Sequence, residues 1–337
     1  MPPPLHAEPR QAEAIHAAYP PIDLHADTLM WARWLGYDLC SRHEPPLWRA
    51  AFGGHVDLPR LKEGGAGGQF FSLVSIPFSI SMRGMARVIR EQIDVFEAAL
   101  ARAPTEMRLV RTATELEACR RDGSIGALLG IEGAHALDGD FDQMELFARR
   151  GVRYLGLVHF TANEAACPVQ GVGRHDASGL TRWGLDLVRR CESMDVLVDL
   201  SHVNRRGFMD ACAVATRPVI VSHGGAKGAF EHWRNLDDGQ LRAVAKTGGV
   251  VGIAFFPMYM GGDGYGPIIK HLQHIIDVCG EDTPALGSDW DGLIVPSRPL
   301  RDPRGLPHLT RALLDAGLKE TAIAKILRSN VLRVLDS

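Results

Sequence analysis

No stretch of this chain approaches the roughly eighteen consecutive apolar residues needed to cross a bilayer as a helix. Its six cysteines (Cys40, Cys119, Cys167, Cys191, Cys212, Cys279) are scattered and form no C-x-x-C pair. That argues against a disulfide frame or a cysteine zinc site and for reduced, mostly buried thiols. Neither sign of charge dominates: 37 Lys and Arg against 40 Asp and Glu leave a formal net of −3. With the signs interspersed, neither a nucleic-acid-binding face nor a polybasic membrane patch is expected. The first twenty residues, "MPPPLHAEPRQAEAIHAAYP", hold no apolar segment of a secretory signal, and the ending "NVLRVLDS" has no hydrophobic tail. A cytoplasmic location is the resulting expectation. No solenoid-period repeat, charge block or Ser/Gly linker divides the chain, and the "GGAGG" of 64–68 lacks the context of a dinucleotide loop and reads as a turn.

What is present is the balance of a globular protein, 46% apolar and 23% charged over 337 residues. Short apolar runs of strand length recur at 21–25, 69–76, 126–131, 154–160, 196–200, 218–222, 249–256 and 284–287. Helical spacing fills most gaps between them; in 85–102, Val88, Ile89, Ile93, Phe96 and Leu100 recur at three- and four-residue steps. Strands apolar on both faces and alternating with helices call for a parallel sheet. Eight such units point to an α/β fold, a closed (β/α)8 TIM-like barrel, as one domain over 21–337 after an N-terminal extension, 1–20. Three long loops each follow a strand: 28–58 with Trp31, Trp34 and Trp48, then 161–179, and 290–306. In a barrel they gather on the rim that carries active sites. The "GGDGYG" of 261–266 reads as either a flap or a turn.

Nearly every expected strand ends in a residue able to bind a metal or move a proton. "PIDLHADTL" gives His25 and Asp27, "LLGIEGAHAL" Glu132, "YLGLVHF" His159, "LVDLSHV" His202, "VIVSHGG" His223 and "ALGSDWDG" Asp289. Residues i and i+2 of a strand share a face, which turns His25 and Asp27 together toward the barrel mouth. Burying these groups separately would cost several kcal/mol, of order, per unpaired ion, whereas one dimetal centre satisfies them together. His43, His55, His135 and His175 are expected at the surface or in supporting positions. Asp199 and Asp291 are expected to hydrogen-bond neighbouring backbone.

The same residues sit in familiar words. H-x-D at 25–27, "HVDLPRLKEGGAGGQFFS", "GIEGAHAL", "GVRYLGLVH", "LVDLSHV", "SH" at 222–223, "RNLDD", "GSDWDG" and the ending "RSNVLRVL" resemble, in this order, the membrane (renal) dipeptidase family. The resemblance runs from about residue 20 to the C-terminus. It implies a (β/α)8 amidohydrolase with two zinc ions: His25, Asp27 and Asp289 on one, His202 and His223 on the other, Glu132 bridging both. It further implies that His159 polarises the substrate carbonyl and that Arg234, with Tyr259, holds the substrate's terminal carboxylate. The chain departs from the family in Val158-His159-Phe160 where members often carry T-H-N, in Trp290 for Phe, and in "SHGGAKGA" for "SHSNARA". Those departures bear on pocket shape, because all six ligand types remain.

The expected reaction is hydrolysis of a dipeptide by a metal-bridged hydroxide, with Asp289 moving the proton to the leaving amine and a metal and His159 stabilising the oxyanion. A small dipeptide is the expected partner, with no nucleic acid and no membrane, and a homodimer left open. Another amidohydrolase activity, on an N-acyl amino acid, a lactone or a cyclic amide, is the alternative, and a non-enzymatic metal-binding relative a third.

Overall fold

A computed structural model describes residues 9–44 and 52–337. Nine parallel strands run Ile22–Ala26 (β1), Gly68–Val74 (β2), Met107–Leu109 (β3), Ile125–Glu132 (β4), Val152–Gly156 (β5), Leu197–Asp199 (β6), Val219–Gly224 (β7), Val250–Ile253 (β8) and Pro284–Leu286 (β9). They pair in the order β2-β1-β9-β8-β7-β6-β5-β4, and β4 returns to β2 in continuous register from Gly68↔Gly126 to Val74↔Glu132. Eight strands thus close the expected (β/α)8 barrel.

The ninth strand, β3, was not expected. It pairs only with Ile125–Ala127 at the start of β4, outside the ring, and its three residues "MRL" carry no alternation by which to find it. The loop expected over 28–58 is also partly regular, opening with the helix Thr28–Leu35. Its residue Trp48 lies outside the described residues. The stretch 261–266 is a turn over 261–264 that leads into the helix Tyr265–Cys279: Asp263 Oδ1 accepts from Ser297 Oγ at 2.9 Å, and Ser297 Oγ accepts from the Gly264 N–H at 2.8 Å.

Apolar side chains form two layers. Each barrel strand lends the inner layer at least one residue: Ile22, Leu24, Phe70, Leu128, Tyr154, Leu197, Ile220, Val250 and Ala285. The outer layer joins barrel to helices, and the helix Met85–Arg102 packs into it through Ile89, Ile93 and Phe96, the stripe that its spacing predicts. Residues of the expected N-terminal extension form the helix Pro9–Ala18, which meets the helix Leu306–Asp315 through His16 Nδ1 and Thr310 Oγ1, 2.8 Å apart. No described helix is long and apolar enough to cross a membrane.

Candidate metal centre

The C-terminal ends of the strands bring the ligand-type side chains to one place. His25 lies in β1, Glu132 ends β4 and His223 lies in β7, while His159, His202 and Asp289 stand three residues past β5, β6 and β9. All are buried. His25, Asp27 and Asp289 offer atoms to one potential metal position; Glu132 joins His25 and His223 in a second grouping, and His159 and His202 in a third. His25 Nε2 lies 3.5 Å from Asp27 Oδ1 and 3.7 Å from Glu132 Oε1, which is also 3.1 Å from His202 Nε2 and 3.5 Å from His223 Nε2. His159, expected beside the ligands rather than among them, approaches Glu132 Oε2 as closely, at 3.5 Å.

Local backbone irregularities make this convergence. Ile22 and Leu24 face the barrel interior, so strict alternation would turn His25 outward. Pairing between β1 and β2 shifts register between Asp23 and Ala26, and through that bulge His25 also faces inward, against Tyr154 and His223. A second shift, between Val221 and Gly224 of β7, does the same beside His223. His202 and Asp289 both adopt left-handed backbone, with φ of 65° and 64°, a conformation that costs non-glycine residues about 1–3 kcal/mol and persists only where surroundings enforce it. For Asp289 the enforcement is visible: Asp23 accepts from the Ser288 N–H at 2.7 Å and from Ser288 Oγ at 2.6 Å.

Electrostatically the cluster is built for cations. Burial, and next the Asp27 carboxylate, hold the Glu132 carboxyl well above its ordinary range, and burial lifts Asp289 to about 7. Burial alone would lower His25, but the carboxylates of Asp27 and Glu132 outweigh it and raise the imidazole to about 10. Burial drives His159, His202 and His223 well below the usual histidine value, so they present lone pairs rather than charge. His25 Nε2 and Asp27 Oδ1 have no hydrogen-bond partner. Zinc–nitrogen bonds of ~2.0–2.1 Å at tetrahedral angles separate neighbouring ligand atoms by about 3.3 Å. The separations above, together with 2.9 Å between His202 Nε2 and His223 Nε2, bracket that spacing. The residues fit divalent metal.

Behind them lies a shell that the sequence reading passed over. With Nε2 turned toward the carboxylates, His25 Nδ1–H donates to the Tyr154 phenol oxygen at 2.9 Å. His223 Nδ1–H donates to Ser222 Oγ at 3.0 Å, whose hydroxyl donates to Asp199 Oδ2 at 2.7 Å. Asp199 also accepts the Ser201 and Ser222 N–H groups, the backbone role expected of it. Asp291 does bond backbone, but across the mouth: it accepts from the His55 N–H at 2.7 Å and from Thr28 Oγ1 at 2.6 Å. His55 and His135 are accordingly buried and structural, while His175 sits on an exposed loop and His43 bonds the Asp38 carbonyl. Arg234 is buried, donates from Nη2 to the His223 carbonyl at 2.9 Å and leaves Nε without a partner. Tyr259 is buried near it, its phenol raised to about 12 by burial.

A closed (β/α)8 barrel whose mouth gathers imidazoles and carboxylates at ligand spacing has the build of a metal-dependent hydrolase. Residues 9–337 match the membrane dipeptidase family, peptidase family M19, and the chain belongs to it. The dipeptidase tcpJ of Claviceps purpurea is 31% identical over 299 residues, covering 84% of this chain and 69% of that protein. The dipeptidase verJ of Clonostachys rogersoniana is 32% identical over 294 residues, 84% of this chain and 76% of that one. A crystal structure of a Rhodobacter sphaeroides metallopeptidase, liganded with a phosphinate mimic of L-Ala-D-Ala, matches with a TM-score of 0.83 and 28% identity over 94% of this chain and 98% of its own. The chain is therefore a hydrolase of a metallopeptidase family.

Proposed function

We propose that this protein is a zinc-dependent dipeptidase that cleaves the peptide bond of short peptides with a free C-terminal carboxylate. The observation that carries the reading is the pairing of the ligand cluster with a buried, partly unsatisfied arginine at its edge. His25, Asp27 and Asp289 would hold one zinc, His202 and His223 a second, and Glu132 would bridge. Three carboxylates among imidazoles, of which His159, His202 and His223 are held neutral by burial, favour two divalent cations over one, and Asp, Glu and His with no cysteine suit zinc. Bound there, the metals would supply Lewis acidity for the carbonyl and acidify the attacking water.

The protein's own groups do the rest. Arg234 offers Nε and its remaining guanidinium hydrogens to the substrate's terminal carboxylate, a charge-assisted pair that fixes chain length, and the Tyr259 phenol donates to the same group. His159 donates to the carbonyl oxygen as negative charge develops on it. Asp289, buried at the mouth beside His25 and Asp27, takes a proton from the attacking water and passes it to the leaving amine. The six cysteines are free thiols, which favours a reducing, cytoplasmic location. Hydrolysis of L,L- and L,D-dipeptides by zinc-reconstituted protein, beside their C-amidated forms, tests the reading. Cleavage confined to free carboxylates is expected. Cleavage of both forms at equal rates would remove Arg234 from its role, and silence on all of them would discard the dipeptidase.

A further inference from the structure

Among the described residues, the exposed large apolar side chains are distributed unevenly. Phe78, Ile80, Phe160, Val172, Trp233, Met258 and Leu293 all stand on segments that leave the C-terminal ends of strands, so the apolar surface rings the mouth. Phe160 is the member that reaches the chemistry. Its ring lies 4.5 Å from that of His159 and 4.8 Å, edge-on, from that of His202, with 38% of the residue still open to solvent. Its backbone is pinned. The Phe160 carbonyl accepts from the Val172 N–H at 2.8 Å, the Ala162 N–H donates back to the Val172 carbonyl at 2.8 Å, and Thr161 Oγ1 donates to the Pro77 carbonyl at 2.9 Å. Gly171, at φ 128°, closes this ladder: a Cβ there would stand 2.0 Å from the Phe160 carbonyl oxygen.

An aromatic ring fixed at its backbone, backed by two imidazoles and open on its other side is a preorganised apolar platform, and a ligand side chain that covers it does so without ordering the ring first. We propose that Phe160 is a specificity-determining residue: it selects dipeptides carrying a bulky apolar side chain, such as leucine or phenylalanine, over those with small or charged ones. The proposal rests on the dipeptidase reading and adds the class of substrate to it. An apolar contact on a half-open surface is worth the low end of what hydrophobic pockets give, roughly five- to tenfold in kcat/KM.

The test uses metal-loaded full-length protein, as wild type and as the two variants Phe160→Leu and Phe160→Asn, on Ala-Ala and on dipeptides in which alanine at either position is replaced by leucine or aspartate. The wild type is expected to prefer the leucine peptides to Ala-Ala, Phe160→Leu to keep that ratio within about twofold, and Phe160→Asn to lower it roughly five- to tenfold. Calorimetric binding of two phosphinate dipeptide mimics, one with methyl and one with isobutyl side chains, gives the same ratio without turnover. If Phe160 merely shielded the centre from water, the asparagine variant would lower kcat for every peptide alike and leave both ratios unchanged, which overturns the proposal. Wild-type protein that cleaves no dipeptide overturns the dipeptidase reading and this proposal with it, whereas cleavage with an unaltered ratio overturns this one alone.

Discussion

Replacing Tyr154 by Phe removes one oxygen, and the structure says what that oxygen does. The phenol accepts from His25 Nδ1–H at 2.9 Å and so fixes the tautomer that leaves Nε2 facing Asp27 and Glu132. The ring is held over Gly130, where a Cβ would lie 2.0 Å from Cζ, so phenylalanine should keep the same seat. Losing a hydrogen bond while its buried partner remains costs about 1–3 kcal/mol. Ser222 Oγ, 3.4 Å from the same nitrogen, can recover part of that, which places the loss near 1–2 kcal/mol. The expected outcome is a roughly 5–30-fold weaker zinc affinity in a chelator-buffered titration, with the circular dichroism of metal-free protein unchanged and its Tm lower by about 2–8 °C. Affinity within twofold of wild type would refute the argument that Tyr154 acts through His25.

Other expectations follow from the same geometry. Gly130→Ala drives a methyl into the Tyr154 ring, costs about 1–3 kcal/mol by overpacking, and should reproduce the zinc defect of Tyr154→Phe together with a lower Tm. Asp289→Asn should bind metal and fold yet lose nearly all turnover, and near-normal turnover in a metal-loaded mutant would sink the proton-transfer role. Arg234→Lys should raise KM most for dipeptides with free carboxylates, an effect absent from amidated peptides. At pH 7 the metal-free site keeps a proton on His25, at about 10, and a share of one on Asp289, at about 7, while His159, His202 and His223 are already neutral. Loading should therefore release at least one proton and tighten as pH rises toward 10, measurable by calorimetry in buffers of different ionisation heat; release of none would contradict the ligand set.

Much of this architecture was legible in the chain because barrel strands are apolar on both faces and helices are not, so alternation of the two patterns exposes the eight units. The site was legible for a related reason: His25, Glu132, His202, His223 and Asp289 each end an otherwise apolar run, where a polar side chain has no structural excuse. What escaped depends on register. Strict alternation cannot see that a bulge turns His25 inward beside Leu24, and nothing in "MRL" marks β3. Tyr154 hid inside an apolar run, as did Ser222, since a hydroxyl that touches a histidine across the barrel leaves no periodic trace. Asp291 was read as local because its partners, Thr28 and His55, lie more than 230 residues away. A glycine facing an aromatic on the neighbouring strand, as Gly130 faces Tyr154, is the one signal that could have found that contact.

The most direct measurement titrates metal-stripped protein with zinc while following hydrolysis of one free dipeptide. The proposed two-metal centre sharing Glu132 predicts turnover that rises to a plateau at about two equivalents per chain, is abolished by a chelator and returns on zinc addition. Full turnover with one equivalent, or turnover that survives complete removal of metal, would contradict the two-metal centre.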